Sequence, residues 1–226
     1  MVNISTLSEL RLRARRAANM EKTLFVSDEE LNEWLNVGLS ELHDIMITSF
    51  NEYFEKSVLI NVITQQSSYE LPEDFYKLIA MDQQIGSQLF TVRRFMPGER
   101  NFLRRPIEVL RFGFDQLLYR IIGRKVQFVP NNRAGKVFLR YAPEYRQLRL
   151  DTDRVEEVIP QGWEDLAVYS AAIRALEKEE SDTTAMAGQK LALMTRIEQN
   201  AESRDANAPW RIADVGIRTP FIGDFF

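Results

Sequence analysis

The stretch SDEELNEWLNVGLSELHDIMITSFNEYFEKSVLINVIT, residues 27–64, changes its periodicity partway along. Ser27-Asp28-Glu29-Glu30 opens it as a capping box, with acidic side chains in a first turn where the helix dipole favours negative charge. Leu31, Trp34, Leu35, Leu42, Ile45, Met46 and Phe50 then keep an apolar stripe at helical spacing. From Ser57 the pattern becomes short and β-branched, so Ser57–Thr64 reads as a strand. The chain therefore mixes helices and strands, and its long helix needs partners for the stripe.

Upstream, Thr6-Leu7-Ser8-Glu9 is another capping box, followed by Leu7, Leu10, Ala14, Ala17 and Ala18 on one helical face and Arg11, Arg13, Arg15 and Arg16 on the other. Downstream, Gln65–Ser68 is polar and Ser68–Leu71 resumes the strand pattern, which reads as a hairpin. Pro72-Glu73-Asp74-Phe75 ends it, since proline cannot continue a ladder. Tyr76–Met81 reads as a further strand and Pro97–Leu103 as a short helical turn. Leu117–Ile122, Lys125–Val129 and Lys136–Tyr141 follow as strands, separated by turn signals at Gly123-Arg124 and Pro130–Gly135. In the last of them Val137, Leu139 and Tyr141 alternate with Phe138 and Arg140, as in a half-buried strand. After Pro160 an amphipathic helix carries Trp163, Leu166, Ala167, Ser170, Ile173 and Leu176 to about Glu180. Ser181–Thr184 breaks it before a second helix with Leu191, Met194, Ile197 and Ala201.

These elements predict a mainly α member of the α+β class. About four helices, two N-terminal and two C-terminal, form a bundle from residues 1–56 and 143–203. A small antiparallel β region, 57–142, is inserted into it, and an extended arm, 204–226, follows.

The chain has 226 residues, of which 45% are hydrophobic and 27% charged, an ordinary balance for a globular protein with a real core. There is no cysteine, which excludes disulfides, thiol catalysis and cysteine-ligated zinc. No apolar run reaches a bilayer-spanning length and the start lacks a signal-peptide pattern, so a soluble cytoplasmic product is expected, with no membrane partner. The net charge of -4 hides segregation: residues 23–92 hold 2 basic and 12 acidic side chains, whereas 93–149 hold 14 and 4. Such blocks neutralise one another within a subunit or between neighbours, or the basic one meets nucleic acid.

Chemistry is hard to find. His43 is the only histidine, and its neighbour Asp44 does not face it on a helix, so the two are no base–orienter pair. Glu29, Glu30 and Glu33 fit a solvated helix start, and Glu177, Glu179 and Glu180 a solvated helix end. Arg133-Ala134-Gly135-Lys136 lies between strands, without the strand-to-helix setting of a phosphate loop. No catalytic, cofactor-binding or metal residue is predicted. Arg93, Arg94, Arg100, Arg104, Arg105, Arg111, Arg120, Arg124, Lys125, Arg133 and Arg140, with Phe95, Phe102, Phe112 and Phe114 between them, form an Arg-rich middle that reads either as a basic region with aromatics or as an ordinary sheet surface. Arg11, Arg15, Arg93, Arg94, Arg104 and Arg105 are candidate subunit-interface or DNA-channel residues. The arm loses periodicity yet carries Trp210, Arg211, Ile212, Val215, Phe221, Ile222, Phe225 and Phe226. Side chains this apolar must be buried, either against the chain's own core or in a partner.

Several of these segments fall into a known order. TLSELRLRARRAANMEKTLFVSDEELNEWLNVGLSELHDIM, Tyr69–Leu78 (YELPEDFYKL), Trp163–Ala172 (WEDLAVYSAA) and Arg204–Val215 (RDANAPWRIADV) resemble phage head-to-tail adaptor proteins. Residues 82–125 match no part of that pattern. The resemblance implies a structural, non-enzymatic virion protein of the neck, made in the host bacterial cytoplasm. It implies a homo-oligomeric ring, commonly a dodecamer, beneath the portal protein, with tail or nozzle proteins at its other end. Genomic DNA would pass through without sequence-specific contact, and the arm, Trp210 to Phe226, would dock into the portal. Other phage tail-completion or connector proteins, and a nucleic-acid-binding module using the Arg-rich middle, are the alternatives.

Overall fold

The structure is a computed structural model that describes residues 5–22, 25–49, 51–99 and 116–202. Helix α1 (Leu7–Ala17) starts where the sequence says it should: Glu9 N–H donates to Thr6 Oγ1 while Thr6 N–H donates to the Glu9 carboxylate. Helix α2 (Asp28–Ser49) repeats the device, with Ser27 and Glu30 exchanging the same two bonds. These reciprocal bonds satisfy helix-end donors that would otherwise face solvent or protein unpaired. Helices α3 (Asp165–Lys178) and α4 (Thr184–Glu202) come from the far end of the chain.

The four helices share one core. Leu7, Leu10 and Ala14 of α1 bury against Leu31, Leu35, Leu39, Leu42 and Met46 of α2 and Leu166, Ala167, Ala171 and Ala175 of α3, with Leu193 and Ile197 of α4 at its edge. Small side chains on α3 let it sit centrally, in contact with the other three helices. The tightest point is Gly38, where a Cβ would lie 2.6 Å from the Ala167 Cα. Only glycine permits that approach of the two backbones.

Eight strands lie between residues 56 and 143 among the described residues. They are β1 (Lys56–Val62), β2 (Ser68–Glu70), β3 (Phe75–Ile85), β4 (Gln88–Thr91), β5 (Arg93–Arg94), β6 (Leu118–Ile122), β7 (Lys125–Val129) and β8 (Gly135–Pro143). One sheet has the order β1-β8-β3-β4 and the other β2-β7-β6-β5. Their inner faces share a second core, with Ile60, Met81, Val137, Leu139 and Tyr141 from the first sheet against Leu71, Leu117, Val126 and Phe128 on the side of the second. The burial of β8 alternates as its sequence predicts.

Three expectations fail. The mainly helical reading with a small β insert is wrong: among the described residues, eight strands in two four-stranded sheets stand beside four helices, a balanced α+β fold. The shortfall came from polar strands, since β3 runs on through Asp82-Gln83-Gln84, and Gln83 is buried because its Oε1 accepts the Leu117 N–H at 2.7 Å. The β region is not wholly antiparallel, because β5 pairs parallel with β6. The 57–71 hairpin is also overturned. Strand β1 pairs with β8 and β2 with β7, so the polar 63–67 connection carries the chain from one sheet to the other. Gln65 adopts φ +70° there and its N–H donates to Asn131 O of the parallel crossing between β7 and β8. Tyr69 closes the crossing, its hydroxyl accepting from Ile63 N–H at 2.8 Å.

Candidate assembly surfaces

The residues that carry the recurring motifs are mostly framework. Asn36 of α2 grips the 143–149 segment as a neighbouring strand would: its Oδ1 accepts Leu148 N–H at 2.8 Å and its Nδ2 donates to Leu148 O at 2.9 Å. Tyr145 adds a third bond, from its hydroxyl to the same Oδ1. Glu41 accepts from Lys190 of α4 at 2.7 Å, tying two helices together. Glu164, almost fully buried, accepts from Ser5 and Gly162 and pairs with Arg13, which also meets Asp165. Asp74 holds Lys56 and the Tyr141 hydroxyl. Those contacts keep the Asp74 carboxyl below its ordinary range, chiefly through the Lys56 bond. Burial, followed by the Asp74 hydrogen bond and charge, pushes Tyr141 up to about 12.

The predicted basic residues separate into groups. Arg11 lies among Asn32, Asp28 and Asp151, its guanidinium 2.9 Å from the Asp151 carboxylate, and Arg15 meets Asp28 at 2.7 Å and Val26 O at 2.9 Å. Both side chains are largely buried, so within the subunit they act as helix-to-helix braces. Arg93 and Arg94 are exposed on β5, an edge strand of the second sheet. Arg104 and Arg105 lie outside the described residues, as does the whole predicted docking arm, Trp210, Arg211, Ile212, Val215, Phe221, Ile222, Phe225 and Phe226.

Much of the acidic block is neutralised inside the chain. Glu30 pairs with Lys178, Glu55 with Arg140 and Glu70 with Lys125, besides the pairs of Asp28, Glu41 and Asp74 already described. Glu29, Glu33 and Glu144 have no ion pair among the described residues. All three line a cleft of about 1200 Å³ that opens between α2 and the 144–149 segment. Val37, Tyr76, Tyr145 and Leu148 give it an apolar side, and Tyr76 donates its hydroxyl to Asp44 at 2.7 Å.

His43 also lines this cleft, yet it is only 2% exposed. Its ring packs 4.5 Å from that of Phe54 and about 6 Å from Tyr76 and Tyr145. Burial pushes its pKa below the ordinary value, only partly opposed by the neighbouring Asp44. The imidazole is therefore neutral, and its Nε2 has no hydrogen-bond partner among the described residues. Sequence reasoning finds no base–orienter pair at His43, and it does not find the cleft. Its walls come from segments a hundred residues apart, joined through Asn36, and no local pattern announces that.

Among the described residues no group of carboxylates and histidine is arranged to hold a metal ion, and no helix is long and apolar enough to cross a membrane. The SU10 adaptor protein family matches residues 5–213 of the chain. The chain belongs to that family of phage head-to-tail adaptors, and is thereby a phage adaptor protein and virion component that meets other head or tail proteins. The match takes in every described element and ends inside the arm, short of Phe221. No match is found among curated proteins.

Proposed function

We propose that this adaptor is a structural, non-enzymatic neck protein that assembles as a homo-oligomeric ring beneath the portal, joins the capsid to the tail and continues the DNA channel. Residues 1–56 and 143–203 form the body of each subunit in this reading, 57–142 the β insert and 204–226 the portal-docking arm. Tail or nozzle proteins occupy the opposite end. The observation that carries the reading is the family match along residues 5–213, which runs through the whole described fold. The framework role of the motif residues agrees with it, because a body built for rigidity leaves recognition to surfaces and arms. A head-to-tail contact repeated by rotation is the symmetry that closes such a ring. Unlike-charged surfaces on one subunit, the cleft acids and the exposed Arg93-Arg94 pair, suit a contact of that kind.

Mass photometry of the full chain, alone and with the portal of the same phage, tests this reading. The expected result is a single multimeric species, or one formed on the portal, and loss of portal capture when the chain is cut after Ser203. A monomer that never engages portal refutes it. Unfolding of the helices on truncation refutes the docking arm, because the arm is then part of the subunit's own core.

A further inference from the structure

The acidic cleft has the makings of a guanidinium receptor. Glu29, Glu33 and Glu144 make no ion pair among the described residues, while Lys190 already holds Glu41. Arg149 also lines the cleft and offsets one of these charges. Tyr76 is 47% exposed beside them, and a planar guanidinium stacks on such a ring while donating to carboxylates. Independently of the acids, His43 supplies a buried, neutral imidazole whose Nε2 lacks a partner among the described residues. A polar group left unpaired in a low-dielectric wall costs stability until something bonds to it.

We propose that this cleft receives arginine side chains from a second copy of the chain, through the basic flank that begins at Arg93-Arg94. The inference rests on the ring reading and names its contact. Charge complementarity selects the occupant: Arg93 and Arg94 are exposed on β5, and the sequence beyond them continues with Arg100, Arg104, Arg105 and Arg111. No residue of the second sheet lines the cleft, so donor and receptor are different surfaces of one subunit. That arrangement gives a head-to-tail contact and leaves each copy with one of each. Nucleic acid does not fit, because phosphates meet repulsion there.

The test uses the full chain and its self-association, measured by sedimentation velocity at low and high salt. Glu29→Lys with Glu33→Lys, and separately Arg94→Glu with Arg104→Glu, each weaken association by about tenfold or more, and mixing the two variants restores it. Raising the salt weakens the parent in the same direction, since exposed charges are screened. Glu29→Gln with Glu33→Gln gives a smaller loss of the same sign and guards against misfolding of the reversed variant. Undiminished assembly of both reversed variants overturns the contact while leaving the ring reading intact. Normal assembly with lost capture of portal or tail protein also overturns it, assigning the cleft to that partner. A parent that stays monomeric in every condition, portal included, overturns the ring reading and this contact with it.

Discussion

Gly38 and Gly188 both lie inside helices, α2 and α4, yet alanine at the two positions should act with opposite sign. Helix propensity alone favours each substitution by about 0.5–1 kcal/mol, because glycine loses more backbone freedom on folding. At Gly188 nothing lies within 4 Å of the new Cβ, so that gain is realised. At Gly38 the Cβ would stand 2.6 Å from Ala167 Cα, 3.0 Å from Ser170 Cβ and 3.1 Å from Ala167 Cβ. The nearest of these is backbone, so the side chain cannot be accommodated by a rotamer change; α2 and α3 must part. Overpacking of this sort costs about 1–3 kcal/mol. Taking the middle of each range, the subtraction leaves Gly38→Ala destabilised by about 1 kcal/mol, a fall in Tm of about 2–4 °C for a chain of this size. The Tm of Gly188→Ala should rise by about 1–4 °C on the same scale. Thermal and urea unfolding of both variants beside the parent measures the pair. A Gly38→Ala protein as stable as the parent refutes the close crossing, and with it the packing of α3 at the centre of the helices.

Other perturbations address the links between layers. Asn36→Ala should cost about 2–3 kcal/mol, since it strips partners from Leu148 N–H, Leu148 O and the Tyr145 hydroxyl; faster hydrogen exchange at the Leu148 amide locates the loss, and unchanged exchange contradicts the clamp. His43, the only histidine, gives one imidazole resonance to follow by NMR, and it should titrate below the ordinary value because burial disfavours the cation. The unfolded chain then binds a proton that the folded chain does not, so stability falls as pH drops through the unfolded value near 6.5. His43→Leu should flatten that part of the pH profile, and a titration at or above 6.5 counts against the buried setting. Asp74→Asn should bring the Tyr141 hydroxyl down from about 12, as read by its absorbance titration. The same variant should lose the stability that Asp74 contributes above its unfolded pKa and gives up as pH falls through its depressed folded value.

Features set by neighbours in sequence were legible; those set by neighbours in space were not. Both capping boxes form as their spacing predicts, and β6 and β7 fall within a residue of expectation, because Gly123 at φ +58° supplies the two-residue turn between them. The equivalent turn at Gly86, φ +61°, joins β3 to β4 but stayed hidden, since Gln83, Gln84, Ser87 and Gln88 mask the alternation around it. The false hairpin has the same origin. A short polar link between two strand patterns fits a hairpin or a change of sheet, and only β7 and β8, some sixty residues on, decide between them. For the candidate site, the arginines were legible as charge but not as partners. Arg11 and Arg94 look alike in sequence, and only the fold puts Asp28 and Asp151 against the first and places the second, exposed, on an edge strand.

That difference bears on how an adaptor of this family specifies its contacts. The acidic block of residues 23–92 is not one surface. Asp28, Glu30, Glu41, Glu55, Glu70 and Asp74 each meet a cation of the same chain, drawn from α1, α3, α4 and the strands. Most of those pairs are partly exposed, so each adds little to stability, on the order of 0–1 kcal/mol. Their larger effect is on specificity, since they remove those charges from any competition for partners. Of the acids in that block without such a pair among the described residues, Glu29, Glu33 and Asp44 lie where α2 faces the segment clamped by Asn36. Thus the side chain that sets the separation of the cleft walls is itself an invisible-looking polar residue in a helix, whose loss should disturb assembly through geometry while leaving every charge in place. Asn36→Ala is therefore expected to weaken self-association even under conditions where the chain stays folded, and a folded variant that associates like the parent would separate the clamp from the contact.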